Sequence, residues 1–279
     1  MKKQLLKYLF YATLLDAYQD YLSSDEIYQE YWGYSENPPF SEDEFHEKKR
    51  LELIDRINRV PFDSEAADKG TAFNEIIDCM ITCKNSEKMK ITKLYEGAME
   101  TDYDEKHGIV GVVPMKTDEV IGLRVEYNYR TFDFPVSICR EFADYYKGAI
   151  PQVHTEAILP TKYGDVQLYG YIDELMPSSV HDIKTTGKYS VGKFKKHWQS
   201  VVYPYCLNEN GNEVYDFEYN ILLINSRVSG DTYETFTEYY NYVPETDIPR
   251  LTSHVESLIE FIEAHKDLIS DLKIFNKHE

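Results

Sequence analysis

Residues 170–205 read GYIDELMPSSVHDIKTTGKYSVGKFKKHWQSVVYPY, and the architecture of the chain can be inferred by extending from this segment. Two runs rich in β-branched and aromatic residues, 166–173 and 180–185, flank a short segment with Pro and Ser, 176–179. Such runs favour strands, and Pro and Ser favour the turn between them. The segment therefore predicts an antiparallel hairpin.

The predicted hairpin brings two carboxylates together. If its turn is centred on the Pro-Ser pair, Asp173 faces Asp182 with Cβ atoms about 4.5–5.5 Å apart. Like charges in that position destabilise a sheet, but a divalent cation reverses the sign of the interaction, and carboxylate oxygens suit Mg²⁺ or Mn²⁺. Lys184 projects from the same strand face as Asp182, where its charge can stabilise a phosphoryl transition state. A solvated face of ordinary ion pairs is the alternative interpretation.

A helix is predicted over 190–203, after the hairpin. Its apolar residues recur at helical spacing, while Gln199 and Tyr203 lie one turn apart on another face. Pro204 is expected to end or kink the helix. The residues predicted on its buried side are Phe194, Trp198, Val201 and Val202.

Positive charge is concentrated in one segment of an acidic chain. From Lys184 to His197 there are five lysines and no acidic residue, although the whole chain has a formal net charge of −19. A local cationic patch fits the docking of a polyanionic nucleic acid. An ordinary lysine-rich helix surface explains any single lysine equally well. The predicted nucleic-acid contacts are Lys188, Lys193, Lys195 and Lys196.

The motifs GYID (170–173), DIK (182–184) and QSVVY (199–203) together resemble the PD-(D/E)XK nuclease superfamily, in particular its branch of RecB-type nuclease domains and phage exonucleases. The resemblance covers 152–205 and implies a restriction-endonuclease-like core, an α/β fold with a central mixed sheet flanked by helices. It implies that the two aspartates bind the metal and that the lysine assists the nucleophilic water. By position, the implied catalytic residues are Asp173, Asp182, Lys184, Gln199 and Tyr203.

The same family has an upstream helix that contributes to the metal site. Here KGTAFNEII (69–77) is similar, with Asn74 where RecB-type domains usually have His. An amide oxygen can coordinate a hard cation but contributes no charge, so metal affinity should fall unless Glu75 compensates. Glu156 is a further candidate ligand, because it is expected to lie next to Asp173 in the sheet. Both glutamates could instead be solvated, and Glu156 could support the ligands without binding metal.

The cysteines predict no iron–sulfur cluster. The chain has four cysteines, with no CxxC spacing and none after Cys206. Relatives that hold a cluster use one upstream cysteine and several after the Gln/Tyr helix, and iron in the purified protein would contradict the prediction. The expected cofactor is Mg²⁺ or Mn²⁺.

The first 22 residues begin with lysines and an apolar run. Asp16 and Asp20 interrupt that run, so an amphipathic helix is predicted rather than a signal peptide. No run approaches the roughly 20 apolar residues that a membrane span needs. We therefore expect a cytoplasmic protein without a membrane partner.

A single domain is predicted for residues 1–279, with an N-terminal helical elaboration at about 1–65 and an insertion at about 84–131. Further predicted elements are helices over 42–60, 134–146 and 249–272 and strands over 217–226 and 232–243.

The expected function is that of a metal-dependent DNA nuclease. The subfamily resemblance favours an exonuclease of recombination, repair or phage-derived DNA processing, and it implies a recombination or single-strand annealing protein as a partner. The first alternative is a catalytically weakened nucleic-acid-binding or scaffold protein with the same fold. The second is an acidic protein-interaction domain. Digestion polarity, strand preference, DNA versus RNA, and oligomeric state stay open.

Overall fold

Two sheets and the helices packed on them form a mixed α/β fold in residues 8–104, 108–227 and 230–275, which this computed structural model describes. The strands are β1 (Tyr8–Tyr11), β2 (Lys90–Asp104), β3 (Gly108–Tyr127), β4 (Arg130–Pro135), β5 (Ile150–Thr161), β6 (Gly164–Leu175), β7 (Ser179–Thr186), β8 (Asp216–Arg227) and β9 (Gly230–Asn241). The helices are α1 (Ala12–Leu22), α2 (Ser24–Trp32), α3 (Glu42–Ile57), α4 (Glu65–Thr82), α5 (Val136–Tyr145), α6 (Gln199–Glu209) and α7 (Pro244–Ala264), followed by 3₁₀ helices at Lys266–Leu268 and Leu272–Phe275.

Strand β6 organises the main sheet because it pairs with three other strands. β5 runs antiparallel along one edge of β6, from Ile150 opposite Leu175 to Thr161 opposite Gly164. The other edge is shared between β1, which is parallel to β6, and β7, which is antiparallel to it. β8 then adds parallel to β7, and β9 adds antiparallel to β8. The predicted central mixed sheet flanked by helices is thereby confirmed.

The predicted hairpin of β6 and β7 is present, but its strands part early. Glu174 faces His181 in the predicted register. The next pair in that register would be Asp173 with Asp182, and the prediction that they face each other in the ladder is wrong, because the ladder ends at Glu174. β7 continues beside β8 instead, where Asp182 lies opposite Tyr219.

The N-terminal segment contains a strand that the sequence did not predict. Tyr8–Tyr11 forms β1, and its residues pair with 166–169 of β6. Aromatic residues suit a strand, and the free edge of β6 exists only in the folded molecule, so tertiary pairing overrides the helical spacing. Helix α1 begins directly afterwards at Ala12. Residues 1–7 lie outside the described residues.

The segment predicted as an insertion belongs to a second sheet. β2, β3 and β4 pair antiparallel in that order. This sheet packs with α4 and α5 through a common hydrophobic core. The division of the chain into a core, an N-terminal elaboration and an insertion stays a prediction.

The predicted helices differ mainly in where they end. α3 lies within the helix predicted over 42–60, and Ser41 and Glu44 form a capping box at its start. The last helix begins and ends earlier than predicted, at Pro244 and Ala264. Within the described ranges, no helix is both long and apolar enough to cross a membrane.

Both faces of the main sheet are buried by helices. Alternate residues of β8 point to opposite sides, so Tyr219 joins a core with α1, α6 and α7, whereas Leu222 joins another with α4 and α5. Nζ of Lys184 lies 5.5 Å from the centroid of the Tyr219 ring. Asp182 and Lys184 therefore share the strand face that is turned toward α6.

Helix α6 starts later than predicted. Residues 190–198 form a series of turns, and Gly192 has a φ of 81°, which a continuous helix does not accommodate. The helix begins at Gln199, where the carboxylate of Asp16 accepts the backbone N–H of the preceding Trp198. Pro204 lies inside the helix and does not end it. The residues predicted as buried, Phe194, Trp198, Val201 and Val202, are buried.

Candidate active site

A cleft opens where β6 and β7 part. β1 pairs with β6 as far as Tyr169, and β7 pairs with it only from Glu174, so 170–173 have no strand partner on that edge. Oδ2 of Asp173 accepts the backbone N–H of Ile183 at 3.0 Å. A side-chain carboxylate thus replaces a backbone carbonyl as the partner of β7, and the strands stay apart. The cavity between them has a volume of about 730 Å³.

Asp182, Lys184 and Gln199 form a closed set of contacts in this cleft. Nζ of Lys184 lies 2.6 Å from Oδ2 of Asp182 and donates to Oε1 of Gln199 at 2.7 Å. Nε2 of Gln199 donates to Oδ1 of Asp182 at 2.6 Å. The amide of Gln199 therefore bridges the carboxylate and the ammonium and fixes the orientation of both.

Tyr203 supports this arrangement from the next turn of α6. Its hydroxyl accepts a hydrogen bond from Nε2 of Gln199 at 3.2 Å, and the residue is 3% exposed. The ring lies against Gly170, where an added Cβ atom would be 2.5 Å from Cε1 of Tyr203. Gly170 is therefore required for the close approach of β6 and α6.

In the cleft, two acids, Asp173 and Asp182, lie close to one cation, Lys184. Burial, and then the charge of Asp182, raises the pKa of Asp173 to about 8. Burial acts to lower the pKa of Lys184, but the carboxylates of Asp182 and Asp173 outweigh it, so this pKa is raised. Lys184 is therefore an ammonium at neutral pH, and Asp173 is easily protonated.

Asn74, on the upstream helix α4, reaches the cleft. Its Nδ2 donates to Oδ2 of Asp173 at 3.1 Å, and its Oδ1 is buried without a hydrogen-bond partner among the described residues. The described residues contain no group of three or more His, Cys, Asp or Glu arranged to hold a metal. Two carboxylates and an unpartnered amide oxygen are nevertheless hard donors, and this chemistry fits Mg²⁺ or Mn²⁺ with water in the remaining positions.

Glu75 and Glu156 lie away from this donor set. Glu75 accepts hydrogen bonds from Ser86 at 2.6 Å and Lys88 at 3.4 Å. The prediction that Glu156 lies next to Asp173 is wrong, since the register of β5 places it opposite Tyr169. Glu156 instead lines a separate cavity of about 870 Å³. Neither glutamate lines the cleft.

The four candidate lysines line a different cavity, of about 760 Å³, between the 188–197 segment and helices α1 and α2. Acidic residues of those helices line the same cavity, and one of them, Glu26, forms an ion pair with Lys196. Nζ of Lys193 donates to the Lys188 carbonyl at 2.7 Å. Lys195 is exposed. A role of these lysines in nucleic-acid binding stays a prediction.

Sequence reasoning missed several residues of the cleft that come from remote parts of the chain. Arg56 and Arg59, at the end of α3, line the cavity together with Phe62. The available signal was two arginines and an aromatic residue within seven positions, in a segment that no motif connected to the hairpin. Asp16, which holds the start of α6, was also missed.

Comparisons with known proteins give no family for the chain. No protein-family model and no curated protein matches it. Among solved structures, the chain is similar to one titled "Crystal structure of SSO0001", at 12% identity and a TM-score of 0.34. The similarity covers 45% of this chain and 56% of that one, so the chain spans little more than half the length of that structure. The fold and the cleft define the class of the protein, a mixed α/β protein with a carboxylate–lysine site.

Proposed function

We propose that the protein is a Mg²⁺- or Mn²⁺-dependent deoxyribonuclease with a restriction-endonuclease-like core, acting as an exonuclease in recombination, repair or phage-derived DNA processing. The observation that supports it is the convergence of Asp173, Asp182, Lys184 and Gln199 in one cleft. The proposal includes a cytoplasmic location and a recombination or single-strand annealing protein as partner.

Asp173, Asp182 and Asn74 would hold the metal. A bound dication would act as a Lewis acid on the phosphodiester and lower the pKa of a coordinated water. The unpartnered Oδ1 of Asn74 supports this assignment, because a buried oxygen without a hydrogen-bond donor is open to a cation. The raised pKa of Asp173 supports it too, because burial and the neighbouring charge of Asp182 disfavour a carboxylate that a dication would stabilise.

Lys184 and Gln199 have distinct roles in the proposed reaction. The ammonium of Lys184 stabilises the negative charge that develops on the phosphoryl oxygens and orients the attacking water. Gln199 positions both Lys184 and Asp182 through its amide. Tyr203 positions Gln199 in turn.

The test is digestion of DNA by the purified protein and two variants, Lys184→Gln and Asp182→Asn. Each variant should lower the cleavage rate by at least about 10²-fold, because each removes a charge that acts in the transition state. Lys147→Gln is the matched control, since Lys147 is exposed and outside the cleft. Circular dichroism establishes that each variant is folded. Full activity in either cleft variant would refute the assigned roles.

Cleavage of linear and covalently closed DNA, with and without metal, distinguishes an exonuclease from an endonuclease and tests the metal requirement. Linear and covalently closed DNA are incubated with Mg²⁺, Mn²⁺ or a chelator. Loss of linear DNA alone, dependent on metal, supports the exonuclease. Cleavage of both substrates indicates an endonuclease, and cleavage in chelator contradicts the proposed metal.

The interaction of Asn74 with Asp173 favours a second candidate function, a nucleic-acid-binding or scaffold protein with a weakened metal site. The amide donates to the carboxylate that a metal would need. This candidate predicts DNA binding without turnover, and tight Mn²⁺ binding in calorimetry together with hydrolysis would contradict it. If Asn74→His gains cleavage activity, the weak metal binding is due to the asparagine at position 74.

A further inference from the structure

The mouth of the cleft is cationic and aromatic in a chain of net charge −19. Arg56 and Arg59 line the cavity, and both are exposed. Among the described residues, the only carboxylates that line it are Asp173 and Asp182, on its floor. A polyanion therefore meets positive charge here before it meets the two acids.

Arg59 has a strained backbone conformation, and its side chain is held by contacts with its neighbours. Its φ is 54°, a left-handed conformation that costs free energy for any residue with a side chain and is usually taken by Gly or Asn after a helix. Nε lies 2.7 Å from a carboxylate oxygen of Asp271, and Nη2 donates to the Tyr169 hydroxyl at 2.9 Å. The guanidinium carbon lies 5.3 Å from the centroid of the Tyr11 ring. These contacts leave other N–H groups of Arg59 free to donate.

Arg56 contrasts with Arg59. Within the described part of the chain, its guanidinium takes part in no hydrogen bond or ion pair. A phosphate could therefore bind Arg56 without displacing an existing partner. Arg56 lies in the last turn of α3 and Arg59 just beyond its end, and both line the same cavity. Two guanidinium groups are therefore available to phosphates at one mouth.

Two aromatic side chains at the same mouth face solvent. Phe62 is 74% exposed and Tyr171 is 55% exposed, and both line the cavity. An exposed aromatic ring at a polyanion site is a platform for an unpaired base, because each base has a π-face that can stack on it. The bases of an intact duplex stack on each other and are not accessible in this way.

We propose that this rim, defined as Arg56, Arg59, Phe62 and Tyr171, binds single-stranded DNA next to the carboxylates. The arginines bind phosphates, and the two aromatic residues stack on bases. The cavity of about 730 Å³ has the size of small-ligand sites, which suits one or two nucleotides of a single strand. The inference rests on the proposed nuclease function for the placement of a scissile phosphate beside Asp173 and Lys184.

The experiment measures binding in the absence of metal. Fluorescence anisotropy of a fluorescein-labelled single-stranded oligonucleotide is recorded with the wild type in chelator, and a gel confirms that the DNA stays intact. A blunt duplex of the same sequence is the second probe. Phe62→Ala and Tyr171→Ala should each weaken single-strand binding by about tenfold. Arg56→Gln should weaken it and lower the slope of log Kd against log salt by about 0.7.

Tyr239→Ala is the matched aromatic control, because Tyr239 is 71% exposed on β9, away from the cleft. Arg140→Gln is the cationic control, because Arg140 is exposed on α5 and does not line the cleft. Both should bind the single strand as the wild type does. Phe62 lies in a loop, so its variant tests the inference even if Tyr171→Ala perturbs β6.

Three results would overturn the inference: duplex binding as tight as single-strand binding, unchanged affinity in the rim variants, or a larger loss in Arg140→Gln than in Arg56→Gln. Binding through the rim without hydrolysis in Mg²⁺ or Mn²⁺ would support the single-strand site and refute the nuclease. Hydrolysis together with unchanged affinity in the rim variants would support the nuclease and refute the single-strand site.

Discussion

Gly170 sets how closely the helix that carries Gln199 can approach the sheet. The Tyr203 ring occupies the space that a side chain at position 170 would need, and the Tyr203 hydroxyl accepts a hydrogen bond from Gln199. A methyl group added at position 170 would therefore be felt by Asp182 and Lys184, the proposed catalytic groups, through Tyr203 and Gln199. The absence of a side chain at this position is a part of the site.

Gly170→Ala is expected to lower both stability and cleavage. The added methyl overlaps the buried ring of Tyr203, and overpacking of this kind costs about 1–3 kcal/mol. Urea unfolding gives the change in stability, and digestion of linear DNA gives the change in activity. The control is Gly187→Ala, where the nearest atom to an added Cβ is 3.9 Å away. Equal effects of the two substitutions would argue against a specific role of Gly170.

At the scale of elements, the start of α6 is fixed by a residue from the opposite end of the chain. Asp16 of α1 accepts the backbone N–H of Trp198, one residue before Gln199. A buried carboxylate at a helix N-terminus satisfies a free N–H group and interacts favourably with the helix dipole. Burial nevertheless raises the pKa of Asp16 to about 7. Its protonation is therefore linked to folding.

The folded state binds the proton of Asp16 more tightly than the unfolded state, whose pKa is about 3.8. The resulting stabilisation is complete below about pH 4 and is lost as the pH rises through about 7. Asp16→Asn, which keeps an acceptor oxygen, should remove this dependence. Its free energy of unfolding relative to wild type should rise between pH 4 and 7, by up to about 1.4 kcal/mol per pH unit.

Urea titrations at several pH values measure the difference. The exposed Asp55→Asn is the matched control. A difference between Asp16→Asn and wild type that is constant across this range would contradict the linkage.

The sequence predicts the parts of the site that local geometry determines. Asp173 and Asp182 flank one turn, and Gln199 and Tyr203 are four residues apart on one helix, so their proximity needs no knowledge of the rest of the chain. The early divergence of the hairpin could not be predicted, because it depends on β1 taking the adjoining edge of β6. The same holds for Arg56 and its neighbours, which tertiary packing alone brings to the cleft.

For the whole molecule, the dominant property is its acidity. A formal charge of −19 repels nucleic acid over most of the surface and destabilises the compact state through self-repulsion. Arg56 and Arg59 at the mouth of the cleft create a local positive potential on this negatively charged molecule. Added salt should therefore stabilise the fold and weaken the binding of single-stranded DNA.

Raising NaCl from about 0.02 M to about 0.3 M is expected to increase the Tm, because the Debye length becomes shorter than the distances between most surface charges. The same change should weaken single-strand binding, since counterion release contributes less at high salt. Thermal melts followed by circular dichroism and anisotropy titrations at matched salt measure the two effects. A Tm that falls with NaCl would contradict the self-repulsion.

Strand β6 has a mechanical consequence for the site. β5 holds one of its edges along the strand, while β1 and β7 hold the two ends of the other. The backbone amides of β6 that face β5 should therefore be among the slowest in the molecule to exchange with deuterium. Asp173 is then carried on a stiff strand, and its hydrogen bond from the Ile183 N–H ties it to β7 beside Asp182. Accommodation of ligands of different shape would fall to the side walls, where residues 58–63 connect α3 to α4 and have no ladder of their own.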